Sequence, residues 1–403
     1  MFMIKKNITL IFLFLSFMFI GLSSCNNDDN PESPYVEGKK KSTVLLYAVA
    51  SNNLAGNLVS DKNEILSCAS KLDLVNNSFL LYEVDNSYEP CLMELIQTQD
   101  GSYIFHKVKD YSEDKSSVSQ SRIREVINDV ITYSPSDSYG LILWSHGTGI
   151  DYYPEPEDED LYGVGGSSSG PVTYSFGYDR NPSGEVYQIN IDKLAEAIPS
   201  GVFNFIWFDA CYMSGIETIY ELRDKCDYYV AYPTEVFEWG MPYDLVMPYI
   251  VKPKADLIGG AKAFFNYYDQ HPNTAARVAT IAVVDMSKIE HVADLAAYAN
   301  SIDGKIDVRT LQKYSRGSIG PFYDFNGYIL QKSSGNEDRE FEKLWSEALD
   351  DFVIYKASTS VDFNYIPIDL EQFSGISCHN YNPELHTDYE NFYRSLAWFK
   401  RIN

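Results

Sequence analysis

A chain of 403 residues can bury a large core, as one big domain or two modest ones. Its 57 Asp and Glu against 32 Lys and Arg leave a net charge of −25, which argues against nucleic acid, whose binding depends on neutralising phosphates with basic side chains. The 32 Tyr and 22 Phe exclude a disordered chain, and an acidic surface draws cationic partners such as Lys- or Arg-rich peptides.

In chain order, Lys5 and Lys6 precede an apolar run from Ile8 to Leu22, long enough for a signal-peptide core and short for a membrane span. The run ends in Leu22-Ser23-Ser24-Cys25, which resembles the bacterial lipobox and implies lipidation of Cys25. The polar, acidic tract NNDDNPESP follows and reads as a flexible tether, so residues 1–24 are a signal peptide and 25–42 a linker. Acidic residues just after the lipid cysteine resemble the surface-export signal of Bacteroidetes lipoproteins. The resemblance implies an exported outer-membrane lipoprotein of a Gram-negative bacterium, with display on the cell surface as the further expectation, and contact with membrane through the lipid alone. The remaining cysteines, Cys68, Cys91, Cys211, Cys226 and Cys378, are odd in number and irregular in spacing, indicating neither a zinc site nor a disulfide framework.

Thr43–Ala50 reads as a buried first strand, and Leu54–Ala69 has helical spacing. Strands are expected at Phe79–Val84, Leu92–Gln97 and Ser102–Val108, then an amphipathic helix over Ser117–Tyr133 and a strand at Leu141–Trp144. Regular structure is not expected from Gly149 to about Val186, a stretch holding EPEDED at 155–160 and GVGGSSSG at 163–170; such a loop is a lid, a processing linker or a tolerated insertion. A helix at Ile191–Ile198, a strand at Phe203–Phe208, a helix at Ser214–Arg223 and a strand at Tyr228–Ala231 follow. PTEVFEWGMPYD at 233–244 is loop-like. Helices at about 255–269, 287–301 and 340–355, a strand at Val278–Val284, a late strand at Phe373–Cys378 and a helix at 387–400 complete the chain. The β–α alternation implies an α/β fold with a mostly parallel sheet. Residues 43–403 read as its domain, those after about 250 either completing it or forming an accessory part.

Two stretches carry the chemistry. SHGTG at 145–149 and DACYMSG at 209–215 each follow an apolar run, which puts His146 and Cys211 at strand ends, where open α/β sheets bind ligands. A cysteine nucleophile needs a thiolate or a base to make one, and Cys211 sits just before an expected helix whose positive end favours the thiolate. His146 can protonate a leaving amine. The backbone N–H groups of Gly147 and Cys211 could form an oxyanion hole. A core cysteine beside a turn histidine fits the same spacing equally well. The other histidines lack this context and read as surface or structural.

LILWSHGTG followed by FIWFDACYMSGIET, with His146 and Cys211 65 positions apart, resembles the clostripain (C11) family of cysteine peptidases. TVLLYAVASNNL, YYVAYPTEVFEWGMPYD and FSGISCHNYNP are similar to further segments of that family, so the resemblance spans most of residues 43–400. It implies a three-layer α/β/α caspase-like (caspase-hemoglobinase) fold and a His146–Cys211 dyad. It also implies that Asp209 is the acidic floor of the pocket for the residue before the cut (P1), where a carboxylate pairs with Arg or Lys. Capping of the following helix is the other role open to Asp209. Thr234 and Glu235 are expected at the pocket rim. Ile150 stands where relatives often carry Trp, and Tyr232 where they carry a small residue, which suggests a narrowed pocket. Internal cleavage, frequent in the family, would fall after Arg180, the only basic residue between His146 and Lys193. Calcium is used by some relatives, but EPEDED lacks EF-hand spacing, so no cofactor or metal is expected. The resemblance makes the chain a monomeric, lipid-anchored cysteine endopeptidase acting on peptides or proteins after basic residues. The rival reading is a non-catalytic surface lipoprotein that keeps the fold to bind peptides or glycans.

Overall fold

The computed structural model describes residues 38–150, 175–302, 304–314, 321–334, 339–382, 384 and 387–403. Cys25 and the EPEDED and GVGGSSSG stretches lie outside them.

The organising feature is a nine-stranded sheet. Its first half comprises β1 (Ser42–Val49), β2 (Asn77–Val84), β3 (Cys91–Gln97) and β4 (Tyr103–Asp110), with helices α1 (Ala55–Cys68) and α2 (Gln120–Tyr133). Then come β5 (Tyr139–Trp144), a hairpin of β6 (Phe176–Arg180) and β7 (Val186–Ile189), α3 (Ile191–Ala197), β8 (Phe203–Asp209), α4 (Ile216–Glu221) and β9 (Cys226–Ala231). Further along lie α5 (Tyr243–Ile250), α6 (Leu257–Asp269), β10 (Thr280–Asp285) and α7 (Ile289–Asn300). A small sheet is made by β11 (Lys313–Tyr314), β12 (Phe322–Asp324) and β14 (Ser377–Cys378). The remaining elements are α8 (Phe325–Ser333), α9 (Arg339–Phe352), β13 (Val353–Ser358), α10 (Asp388–Ser395) and α11 (Ala397–Ile402).

The strand order of the large sheet is β13-β10-β9-β8-β5-β1-β2-β3-β4. The five central strands run parallel, and antiparallel pairs close both edges, so the fold is α/β with a mostly parallel sheet. Alternate residues feed two separate cores, as a sheet covered on both faces requires. In β1, Leu45, Tyr47 and Val49 join one core while Val44, Leu46 and Ala48 join the other. In β8, Ile206 and Phe208 part from Phe205 and Trp207 in the same way. Helices α1, α5 and α6 supply the second core, with Leu58, Val246 and Phe264 among its buried residues.

Several expected boundaries move. The helix expected to run to 355 stops at Phe352, and Val353–Ser358 becomes the edge strand β13. Its alternating half-buried and exposed residues, with β-branched Val353 and Ile354, suit an edge strand. The supposedly irregular 149–186 stretch contains β6, whose short Phe-Gly-Tyr-Asp-Arg sequence has no legible period. The segment 233–244 is a loop only as far as Pro242, and α5 begins at Tyr243. Only Ser377–Cys378 of the expected late strand pairs, and the terminal helix breaks at the extended Leu396. Strands β10 and β13, both beyond residue 250, belong to the large sheet.

Candidate active site

The chain turns back on itself between β1 and β5, with β2 on one side and β5, β8 and β9 on the other, and such a switch point opens a crevice at the carboxyl ends of the strands. The loops after β1, β5, β8 and β9 rim that crevice and deliver Asn53, His146, Cys211 and Val236. Trp144 pairs in register with Asp209, so the loops carrying His146 and Cys211 leave neighbouring strands at the same level.

Gly147 packs directly on the Cys211 turn. A Cβ at this position would lie 2.8 Å from the Cys211 carbonyl oxygen, a clash with backbone that only glycine avoids. The hairpin strand β6 fastens the same loop: Gly147 bridges to Phe176, and the Gly177 N–H donates to the His146 carbonyl at 2.9 Å. After Cys211, Tyr212 adopts φ +61°, a left-handed conformation costing a bulky residue about 1–3 kcal/mol. The Tyr212 N–H donates to the Thr234 carbonyl, which holds the strained turn against the loop after β9.

His146 is half-buried, and burial lowers its pKa to about 4. Its Nε2 meets Asn53 Oδ1 at 2.9 Å. An amide oxygen only accepts, so the proton sits on Nε2 and Nδ1 is left free as a base. Nothing in the local sequence Ser51-Asn52-Asn53-Leu54 marks Asn53 as the partner of the histidine. Cys211 is half-buried; burial of its thiol pushes the pKa up to about 12, with the Glu235 and Asp209 charges adding and the Val236 N–H, 3.4 Å from Sγ, opposing. The helix expected to favour a thiolate starts only at Ile216 and has six residues, too far and too short to offset that burial.

Asp209 ends β8 and is buried. Its Oδ2 accepts from the Met241 N–H and the Tyr243 hydroxyl, each at 3.1 Å, while Oδ1 has no partner. Burial raises its pKa to about 6 against those two hydrogen bonds. Gly240, at φ +58°, lies over this carboxylate, and a Cβ there would come within 2.8 Å of Oδ2. The loop from Val236 to Met241 therefore runs from the Cys211 thiol to the top of Asp209. Asp209 caps no helix that follows it, since the residue flanking α4 is Gly215.

Thr234 is buried, and its hydroxyl meets Thr280 Oγ1 at 2.8 Å, so it meets the crevice through its backbone. Glu235 accepts from Asn364 and is raised by burial. Tyr232 is a core residue: its ring stacks on Phe264 and its hydroxyl accepts from the Trp207 indole. Ile150 is buried as well. Arg180 closes β6, paired with Val186 at the mouth of the hairpin, and its guanidinium donates to the Tyr178 hydroxyl at 2.7 Å. The Tyr178 ring in turn meets His146 edge-on at 5.9 Å. Among the described residues, no three or more His, Cys, Asp or Glu side chains gather as a metal would require.

The family model of the clostripain family (Peptidase C11) matches residues 46–391. The chain is similar to the solved structure of a secreted C11 cysteine protease from Bacteroides thetaiotaomicron in complex with an irreversible peptide inhibitor. Identity there is 23%, coverage is 90% of this chain and 99% of that one, and the TM-score is 0.76. It is also similar to an inactive zymogen C11 protease from Parabacteroides distasonis, at 26% identity over 91% of this chain and 99% of that one, with a TM-score of 0.72. Comparison with curated proteins finds no match.

Proposed function

The chain belongs to the clostripain family of cysteine peptidases, and from that premise we propose that it cuts peptide bonds after basic residues, from a lipid anchor at the outer membrane. Cys211 is the nucleophile. Its thiol and the imidazole of His146 are both neutral at rest, so the sulfur attacks the carbonyl carbon as its proton passes to His146 Nδ1. The N–H groups of Gly147 and Cys211 receive the developing oxyanion, and His146 then protonates the leaving amine. Water completes the cycle by hydrolysing the thioester.

The observation that carries the basic preference is Asp209: a buried carboxylate beneath the Val236–Met241 loop, two residues before the nucleophile, with Oδ1 unpartnered. An unpaired buried acceptor is costly, and a cation entering from the substrate would repay it. Matched fluorogenic peptides with Arg, Lys or a neutral residue at P1 test the reading. Wild type should turn over the basic ones, and Cys211→Ala should turn over none. Replacing Asp209 with Asn should abolish the basic preference; an unchanged preference would assign the pocket to another acid.

The anchor rests on Lys5, Lys6, the apolar run and the Leu-Ser-Ser-Cys tetrad, and the inhibitor-bound fold relative is itself described as secreted. Labelled palmitate should enter the wild type and not Cys25→Ser; equal labelling of both would remove Cys25 from the account. Processing after Arg180 remains part of the proposal. Because that residue is paired within a hairpin, cleavage there requires the hairpin to open first.

A further inference from the structure

Helix α1 leads away from the dyad. It starts two residues after Asn53, the partner of His146, and its Asn57, Ser60, Asp61 and Glu64 fall on the neighbouring i, i+3 and i+4 positions of one face. That face lines a cavity of about 430 Å³, closed on the other side by Trp239, Tyr267 and His271. Trp239 comes from the same loop whose Val236 touches the Cys211 thiol and whose Gly240 covers Asp209.

Asp61 is only 2% exposed, and its Oδ2 has no hydrogen-bond partner. Tyr243 ties this wall to the acid described above: its hydroxyl donates to Asp209 Oδ2 at 3.1 Å and its N–H donates to Glu64 Oε2 at 2.9 Å. Two buried carboxylates, from α1 and from β8, thus each keep one oxygen unpartnered; Asp61 lines the cavity, Asp209 adjoins it through Tyr243 and Gly240, and no Lys or Arg is among the lining residues. Leaving both oxygens unmatched is unfavourable, and native proteins retain such groups where a ligand completes them. The cavity has the size of a small-ligand pocket. Its aromatic wall, with Trp239 stacked on His271 at 5.6 Å, suits an aliphatic stem carrying a positive tip.

We propose that Asp61 is a second acid of the specificity pocket, and that the pocket is built for a guanidinium held between Asp61 and Asp209, so that arginine is preferred to lysine at P1. The proposal rests on the reading of Asp209 given above. An ammonium is a compact point charge on a single nitrogen, whereas a guanidinium presents five N–H donors in a rigid plane and can serve carboxylates on two sides at once. Glu64 is already committed to the Tyr243 amide and acts as a charge in the wall.

The groups facing Asp61 sharpen the expectation. Glu64 on its own helix, Asp209 from β8, Tyr243 from α5, Tyr267 and Tyr268 from α6, and His271 beyond it surround the site. Burial, then the Asp209 and Glu64 charges, push Asp61 up to about 9, so the empty pocket holds a proton there at neutral pH. A guanidinium replaces that proton.

The experiment compares kcat/KM on matched Arg and Lys peptides for wild type, Asp61→Asn and Asp209→Asn. Wild type should favour Arg by at least about tenfold. Asp61→Asn should erase most of that ratio by raising KM for Arg while barely changing Lys, and Asp209→Asn should weaken both. A purely structural role for Asp61 would instead lower both substrates together, and that result overturns the proposal. Calorimetry of acetyl-arginine amide binding to the Cys211→Ala protein, in two buffers of different ionisation enthalpy near pH 7.5, should register release of about one proton. The same titration with Asp61→Asn should register none, and equal release from both would also sink the idea. If wild type shows no basic preference at all, the reading of Asp209 fails and this one fails with it. A basic preference with an Arg/Lys ratio indifferent to Asp61→Asn overturns this one alone.

Discussion

Cys211 and His146 rest in their neutral forms, because burial moves the thiol up to about 12 and the imidazole down to about 4. The alkylation rate of Cys211 by iodoacetamide should therefore keep rising from about pH 6 to pH 9, following the growing thiolate fraction. A rate already at its plateau near neutrality would reveal a resident thiolate and a different activation. Asn53 acts through His146 by fixing its tautomer, which makes it a positioning residue. Asn53→Ala should lower kcat by about tenfold or more with KM nearly unchanged. A loss appearing only in KM would instead place Asn53 against the substrate.

At the scale of elements, the hairpin of β6 and β7 holds the histidine loop, and Asp179 holds the hairpin. Its buried carboxylate accepts from Ser51 Oγ at 2.5 Å, Ser116 Oγ at 2.8 Å and the Ser117 N–H at 2.6 Å. Asp179→Ala strands those donors and should destabilise the fold by about 2–4 kcal/mol. It should also expose the Arg180 bond to added trypsin well before global unfolding; an unchanged cleavage rate would mean the hairpin is held elsewhere. The sequence made the strands leading to His146 and Cys211 legible because Leu141–Trp144 and Phe203–Phe208 are apolar runs that stop abruptly in Ser-His-Gly and Asp-Ala-Cys. It concealed β6, a five-residue strand interrupted by a positive-φ glycine, and β13, which continues the helical run of α9 without a break. It concealed Asp61 and Glu64 too. In Ser60-Asp61-Lys62-Asn63-Glu64 every residue is polar, so the stretch reads as a solvated helix face, and only packing against the Val236–Met241 loop and α5 buries Asp61 and half-buries Glu64. Asp209 was visible because it lies in the motif itself; its second wall comes from a helix about 150 positions earlier, beyond the reach of any local pattern.

For the molecule as a whole, the acid pocket works against stability. Carboxyls whose pKa is raised on folding bind protons more tightly folded than unfolded. Their stabilising effect is complete below the ordinary value of 3.8 and is lost as pH climbs toward about 6 for Asp209 and about 9 for Asp61. The melting temperature of the empty enzyme should therefore fall from mildly acidic to mildly alkaline pH. Asp61→Asn keeps the shape and removes one buried ionisation. At about pH 8 it should stabilise the protein by roughly 1–3 kcal/mol and flatten that slope, a gain in stability set against a loss of selectivity. A variant that melts lower than wild type at every pH would show that the carboxylate is a structural contributor instead.

The segment from Asn52 to Glu64 carries a further consequence. One end holds the imidazole of His146 and, on the proposal above, the other faces the incoming side chain, with a single helix between them. Rate and selectivity are therefore inherited together: transplanting these thirteen positions from a relative would carry over both traits, and drift at either end is felt at the other.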